Sequence, residues 1–154
     1  MSVERKTTDA ACVAYISMTG PYAQIPAAFR RLYGWVAKHG LQPGGMPGGV
    51  YLTDPAAGEA SARWELHAPV AGDHPDAPLD ASGCGIKHVA PRLVASATYR
   101  GPYERIGPAY DELAAWVLAS GYTMSGPPEE IYLSEPTTPP EDTLTEIHFP
   151  VAKA

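Results

Sequence analysis

The chain has 154 residues, of which 45% are hydrophobic, and this is enough for one domain with a sound core. Its formal net charge is −6, and it carries no cluster of Lys and Arg of the kind that non-specific nucleic-acid binding requires. It contains no apolar run of roughly 18 residues and no leader pattern, and its two cysteines show no pairing pattern. We therefore expect a cytoplasmic protein that binds neither nucleic acid nor membranes directly.

The first half of the chain predicts several strands around one amphipathic helix. A strand is expected at residues 12–18. Residues 25–36 then place apolar side chains at the three-to-four spacing of a helix, which is expected to end at Gly40. After a loop rich in glycine and proline, two further strands are predicted at residues 50–53 and 62–69.

The second half predicts the same elements in the same order. Strands are expected at residues 86–90 and 93–99, a helix at 106–117, and two more strands at 130–134 and 143–151. Each half therefore reads as a βαββ unit with a further short strand before it.

The two halves align without a gap at a constant offset, which places Gly20-Pro21-Tyr22 on Gly101-Pro102-Tyr103. Roughly a third of the aligned positions are identical, which indicates an internal duplication. We expect one domain over residues 1–154, built from a half-repeat at about 4–71, a connector at 72–84 and a half-repeat at about 85–152.

These patterns predict an α+β fold in which tandem βαββ units form one antiparallel sheet of about eight strands, with both helices on one face. Alternation along the strands separates an apolar face, covered by the helices, from a polar face that has no helix. The residues expected on the polar face are Tyr51, Tyr132, Glu65, Glu146, His67 and His148.

The motifs of the second half resemble those of the GyrI-like small-molecule-binding family, which includes effector domains of AraC-type and MerR-type regulators. The resemblance rests on Gly101-Pro102-Tyr103, Ile131-Tyr132-Leu133 and the segment from Glu146 to Val151. It implies a pseudo-two-fold cleft lined by aromatic side chains, with a glutamate at its floor. The family glutamate maps onto Glu146 and the family tyrosine onto Tyr132.

The chain departs from the family pattern in two respects. No helix-turn-helix segment is found, so we expect no transcriptional role from this chain alone. The first half also carries a full Glu65-x-His67 motif where the family pattern leads us to expect a less acidic strand.

A duplicated glutamate near the symmetry axis would place Glu65 beside Glu146. Two close carboxylates disfavour joint ionisation, so one pKa should rise, and a bound cation would relieve the repulsion. Aromatic faces would add cation–π attraction of ~0.5–2 kcal/mol. The predicted ligand-binding residues are Glu146, Glu65, Tyr132, Tyr51, His67, His148, Trp116, Trp35 and Tyr110.

Each of these residues also has a structural interpretation. The glutamates could be solvated side chains on an open sheet face, and the two tryptophans on the helices are more often core residues. The two Glu-x-His pairs could in principle supply a metal site with two histidines and two carboxylates, but we expect neither a metal nor a cofactor.

The preferred hypothesis is a protein that sequesters or senses planar, often cationic aromatic compounds, and that is not an enzyme. The first alternative is a GyrI-like hydrolase of cyclopropanoid DNA-alkylating compounds, with Glu146 and Tyr132 as the catalytic candidates. The second alternative is a modulator of DNA gyrase through the acidic surface, with gyrase or a regulator as the protein partner.

Overall fold

The computed structural model describes residues 1–53 and 58–154, and the chain divides into two compact units. The first unit comprises Ala10–Ala90. The second unit comprises Met1–Asp9 together with Pro91–Ala154. In each unit an antiparallel sheet packs against one α-helix.

The described residues form nine strands and two α-helices. In chain order these elements are β1 Val3–Thr7, β2 Ala11–Thr19, α1 Ile25–Lys38, β3 Gly48–Tyr51, β4 Arg63–Pro69, β5 Cys84–Val89, β6 Leu93–Arg100, α2 Gly107–Ala119, β7 Tyr122–Met124, β8 Glu129–Tyr132 and β9 Leu144–Lys153. The strand order is β3-β4-β2-β5 in the first unit and β1-β6-β9-β8 in the second unit, where β7 also pairs with β9.

The core of the first unit lies between α1 and its sheet. The helix buries Leu32 and Val36, and alternate positions of β4 bury Trp64, Leu66 and Ala68. A proline in the first turn suits the helix start, where its missing N–H costs no hydrogen bond. Beyond the last turn, the chain reverses through a glycine with φ of 69°, which side chains with a Cβ rarely adopt.

The core of the second unit is built in the same way. Helix α2 buries Leu113 and Val117 against Ile147, Phe149 and neighbouring positions of the sheet. Leu118, on the outer side of α2, is 77% exposed, so the helix buries one face only.

The predicted α+β class and the βαββ order of each half are confirmed, with nine strands where about eight were expected. The additional strand is β7, which lies directly after the predicted helix stop. None of the helices within the described residues has the length and apolar character needed to cross a membrane.

The structural units do not follow the boundaries of the sequence repeats. Strand β1 opens the first repeat, yet it pairs with β6 in the second unit, from Val3 opposite Ala97 to Thr7 opposite Leu93. Strand β5 opens the second repeat, yet it pairs with β2 in the first unit. Each repeat therefore gives its first strand to the unit formed mainly by the other repeat.

Candidate functional site

The Glu-x-His motif of the first unit forms a small ion network on the sheet face opposite to α1. His67 Nε2 lies 3.0 Å from Glu65 Oε1, and the ammonium group of Lys87 donates to the same oxygen at 2.6 Å. Lys87 also lies over the ring of Tyr15, 4.4 Å from its centroid. The side chains of Glu65 and His67 are only 19% and 14% exposed.

The second unit repeats this network with the equivalent residues. His148 Nε2 lies 2.6 Å from Glu146 Oε1, and this oxygen also accepts a hydrogen bond from Lys6 and one from Ser96 Oγ at 3.1 Å. Lys6 and Lys87 occupy equivalent positions of the two repeats. Because the first strands are exchanged, each lysine pairs with the glutamate that belongs to the other repeat.

The expected rise in the pKa of one glutamate is wrong, because each glutamate has cationic partners of its own. The hydrogen bond from His67 is the largest influence on Glu65, and with Lys87 it lowers the pKa to about 2. For Glu146 the largest influence is desolvation, which raises the pKa, but His148 and Lys6 outweigh it and the pKa is again lowered to about 2. The convergence of the two glutamates at a symmetry axis stays a prediction.

The assignment of the two tyrosines to the polar face is also wrong. Tyr51 lies directly opposite Trp64 in the β3–β4 ladder, whereas Val50 lies opposite Glu65. Tyr132 likewise lies opposite Thr145 in the β8–β9 ladder. Residues opposite each other share a face. Both tyrosines therefore lie on the helix side of their sheets, away from the Glu-x-His motifs.

The helix side of the second unit contains a buried acid that the sequence analysis did not select. Glu130 is 8% exposed, and its Oε2 accepts a hydrogen bond from the hydroxyl of Tyr110 on α2. Desolvation raises the pKa of Glu130, and hydrogen bonds from Tyr110 and Tyr132 offset this rise only in part. A carboxyl group in this environment is partly protonated at higher pH than an exposed one.

Tyrosine rings connect this acid to the surface. Tyr103 is 49% exposed, and its ring packs edge-on against that of Tyr132 at a centroid distance of 5.9 Å. The pKa of Tyr103 is raised, chiefly by desolvation and further by the charge of Glu130. We call Glu130, Tyr110, Tyr132 and Tyr103 the Glu130 cluster.

The first unit has no acid at the equivalent place. Gly49 stands where the second repeat has Glu130, and Phe29, which has no hydroxyl, stands where it has Tyr110. Trp64 takes the position of Thr145. It is fully buried, and its indole N–H donates to the carbonyl of Gly20 at 2.9 Å. The two repeats have thus diverged at these positions, which belong to an apolar core in the first unit and to a polar cluster in the second.

The two helix tryptophans have structural surroundings within their own units. Trp35 is 9% exposed, stacks on His39 and donates its indole N–H to Asp80 at 2.8 Å. Trp116 is half-buried and packs against the core of the second unit. Of the predicted site residues, the second unit brings together Tyr110 with Tyr132, and Glu146 with His148.

A signal for Glu130 was present in the sequence. Strand alternation places it on the same face as Tyr132, two residues further on, and the repeat alignment pairs it with a glycine. The second repeat therefore has an acidic residue on the face of a predicted ligand-binding tyrosine, where the first repeat has glycine. The prediction instead selected the glutamates of the two Glu-x-His motifs.

Solved structures of other proteins share the fold of this chain. The C-terminal domain of EcmrR is 20% identical, with a TM-score of 0.78 over 99% of this chain and 98% of that domain. In the EcmrR–DNA complex the TM-score is 0.85 at 19% identity over 99% of this chain, which spans 58% of the EcmrR chain.

Two other solved structures share the fold. A hydrolase from Listeria innocua is 16% identical over 97% of this chain and 91% of that chain, with a TM-score of 0.73. SAV2435 bound to tetraphenylphosphonium is 17% identical over 99% of this chain and 94% of that chain, with a TM-score of 0.61.

A search of curated proteins found no match. The model of the GyrI-like small molecule binding domain matches residues 1–152. Since this match covers nearly the whole chain, the protein belongs to the GyrI-like small-molecule-binding family.

Proposed function

We propose that this GyrI-like domain binds planar aromatic cations and that the Glu130 cluster supplies the charge that selects them. The observation that carries the proposal is a carboxyl group that is almost fully buried, has a raised pKa and is held by tyrosine hydroxyls. Such a group costs folding energy, and a structural role does not account for it, because the first unit folds with glycine at the equivalent position.

The chemistry of the cluster fits a cation better than a neutral compound. A cation beside Glu130 replaces the solvation that burial has removed, so the carboxylate is favoured again and its pKa falls. Attraction between charges is stronger away from bulk water. Tyrosine faces would add ~0.5–2 kcal/mol of cation–π attraction and flat apolar contact.

The relatives are consistent with this proposal. SAV2435, which shares the fold, was solved with tetraphenylphosphonium, an aromatic organic cation. EcmrR carries a similar domain in a DNA-binding assembly. A role in sequestering toxic compounds or in sensing them as part of a regulator follows from the same binding event.

The test is a fluorescence titration with a cationic rhodamine. We expect saturable binding to the wild-type protein and at least a tenfold loss of affinity in Glu130→Gln, which keeps the size of the side chain but removes its charge. The matched control is Glu146→Gln, which removes a glutamate from the opposite face of the same sheet and should leave the affinity unchanged. Thermal unfolding of both variants verifies that they fold.

Two results would overturn the assignment. If rhodamine does not bind saturably, the domain does not select planar cations. If Glu146→Gln loses affinity and Glu130→Gln does not, the ligand lies on the face of the Glu-x-His motifs.

A second candidate function is hydrolysis of a strained electrophile at the same cluster. The raised pKa of Glu130 favours it, because a carboxyl that titrates nearer to neutral pH exchanges protons with a reacting water more effectively. The fold is shared with a hydrolase from Listeria innocua.

Incubation with an excess of a cyclopropanoid alkylating compound tests this function. A hydrolase would open more than one equivalent of the ring per protein, and this turnover would be lost in Glu130→Gln. Binding without ring opening would leave the sensing or sequestering role.

A further inference from the structure

Three side chains with metal-binding donors meet at one end of the first unit. Cys12 on β2 and His88 on β5 are direct partners across the antiparallel ladder. Asp73, in the connector after β4, reaches the same place. One donor atom of each residue lies within 4.8 Å of the other two. None of the three belongs to the Glu130 cluster or to the Glu-x-His networks.

The strand pairing explains the convergence of the first two donors. Residues directly opposite each other in a ladder have Cβ atoms about 4.5–5.5 Å apart and point to the same side of the sheet. The connector then folds back over β5, since Ala77 and Ile86 exchange backbone hydrogen bonds, each of 2.9 Å. This fold-back carries Asp73 to the imidazole of His88, with Oδ1 2.7 Å from Nε2.

A fourth residue orients the imidazole as an outer-shell partner would. Asp76 Oδ1 lies 2.5 Å from His88 Nδ1, on the side of the ring away from Asp73. When Nδ1–H donates to Asp76, Nε2 is the nitrogen left to bind a metal. A carboxylate behind the imidazole in this way is a regular feature of metal-bound histidines, because it fixes the tautomer and raises the basicity of the ligand.

We propose that Cys12, Asp73 and His88 form a Zn²⁺ site with Asp76 as the outer-shell residue. A thiolate, an imidazole and a carboxylate are all ligands that zinc takes in four-coordinate sites. The sulfur and nitrogen donors argue against Mg²⁺ and Ca²⁺, which prefer oxygen. The fourth position is left for water or for an added ligand.

The geometry requires only a small rearrangement. Zinc–ligand distances of about 2.0–2.3 Å put neighbouring donors of a tetrahedral site roughly 3.3–3.8 Å apart. Asp73 Oδ1 and His88 Nε2, now 2.7 Å apart, therefore have to separate by roughly 0.6 Å, and any donor pair near the 4.8 Å limit has to close by about 1 Å. His88 and Asp73 have side chains that are 45% and 90% exposed, so their rotation meets little packing resistance.

Titration of the reduced, full-length protein with Co²⁺ alone tests this site. We expect saturation at one equivalent, with near-ultraviolet charge-transfer absorption that marks a cobalt–thiolate bond, and displacement of cobalt by one equivalent of Zn²⁺. Cys12→Ser should remove the charge-transfer band. Cys84→Ala is the matched control, since this second cysteine is buried on β5, and the band should persist.

Asp76→Asn should keep the spectrum and weaken Zn²⁺ binding by about 10–100-fold, as loss of an outer-shell carboxylate does. This residue has a 72%-exposed side chain, so its substitution leaves the fold intact. The proposal is overturned if one equivalent of cobalt produces no thiolate band, or if the band disappears in Cys84→Ala and persists in Cys12→Ser. In that case the carboxylates and His88 form surface ion pairs only.

Discussion

At the scale of single residues, the carboxyl group of Glu130 is nearly buried and its pKa is raised, chiefly by desolvation. In the unfolded chain the same group titrates near its ordinary value of 4.5. Below that pH both states are protonated and the group does not affect stability. As the pH rises through the folded-state pKa, the unfolded state has already released its proton, and the folded protein becomes relatively less stable.

Glu130→Gln should therefore stabilise the protein at pH 7 and have little effect at pH 4. Each unit of pKa rise corresponds to about 1.4 kcal/mol. Urea unfolding of the variant and the wild type at the two pH values measures the difference. An equal change in unfolding free energy at both pH values would contradict this account.

The glutamate of the first ion network should act in the opposite direction. The pKa of Glu65 is lowered to about 2, first by the hydrogen bond from His67. The ionised carboxylate of Glu65 stabilises the folded protein above the unfolded-chain pKa of about 4.5, and this stabilisation is lost as the pH falls toward 2. The free energy of unfolding of the wild type should therefore decrease between pH 4.5 and 2. In Glu65→Gln this decrease should be smaller by on the order of 1 kcal/mol, allowing for solvent screening. Glu59→Gln, at an exposed position, is the control and should leave the decrease unchanged.

At the scale of secondary-structure elements, the packing of β4 against α1 depends on Trp64. This side chain is fully buried, and its indole N–H is bonded to the carbonyl of Gly20. Trp64→Ala should lower the free energy of unfolding by about 3–5 kcal/mol, the usual cost of removing a large buried aromatic. Trp64→Phe keeps most of the apolar contact but leaves the carbonyl unpaired, at a cost of about 1–3 kcal/mol. If Trp64→Phe has the same free energy of unfolding as the wild type in urea, this hydrogen bond does not contribute to stability.

Strand β1 should control the ionisation of a glutamate far away in the sequence. Lys6 reaches Glu146 only because β1 pairs with β6. Deletion of residues 1–8 should raise the pKa of Glu146 toward 4.5 and lower the melting temperature. Lys6→Gln should raise the pKa with a smaller effect on melting, because the strand remains. NMR titration of the carboxyl resonance measures both, and an unchanged pKa in either variant would contradict the pairing.

The helices and most strands could be predicted because their signals are local. The apolar stripe of α1 and the alternation of β4 each lie within one segment. Strand β7 has only three residues, too few to show alternation. The partner of a strand is a non-local property, so the exchange of β1 and β5 was not predicted.

The candidate site was predicted in part for the same reason. Alternation along the strand places Tyr51 and Val50 on opposite faces of the sheet, but it does not say which of the two residues faces the helix. The cross-strand register decides this, and it places the tyrosine opposite Trp64. The duplication itself correctly pointed to equivalent Glu-x-His motifs, but it could not show that each has its own lysine.

At the scale of the whole molecule, the net charge of −6 should help the binding of cations. Electrostatic attraction at long range is screened by salt, with a Debye length of ~30 Å at 0.01 M and ~8 Å at 0.15 M. Affinity for a cationic rhodamine should therefore fall several-fold over this range. A neutral dye of similar shape is the control and should bind equally at both salt concentrations. Salt-independent binding of the cation would show that the overall charge does not contribute.

The exchanged first strands also determine how the chain would respond to being cut. Cleavage between Ala90 and Pro91 would leave Met1–Asp9 attached to one fragment while it remains hydrogen-bonded in the sheet of the other. The nicked protein would thus stay assembled by strand complementation. Fragment 91–154 made alone would expose the backbone edge of β6, and it would self-associate through that edge until the missing strand was supplied as a peptide.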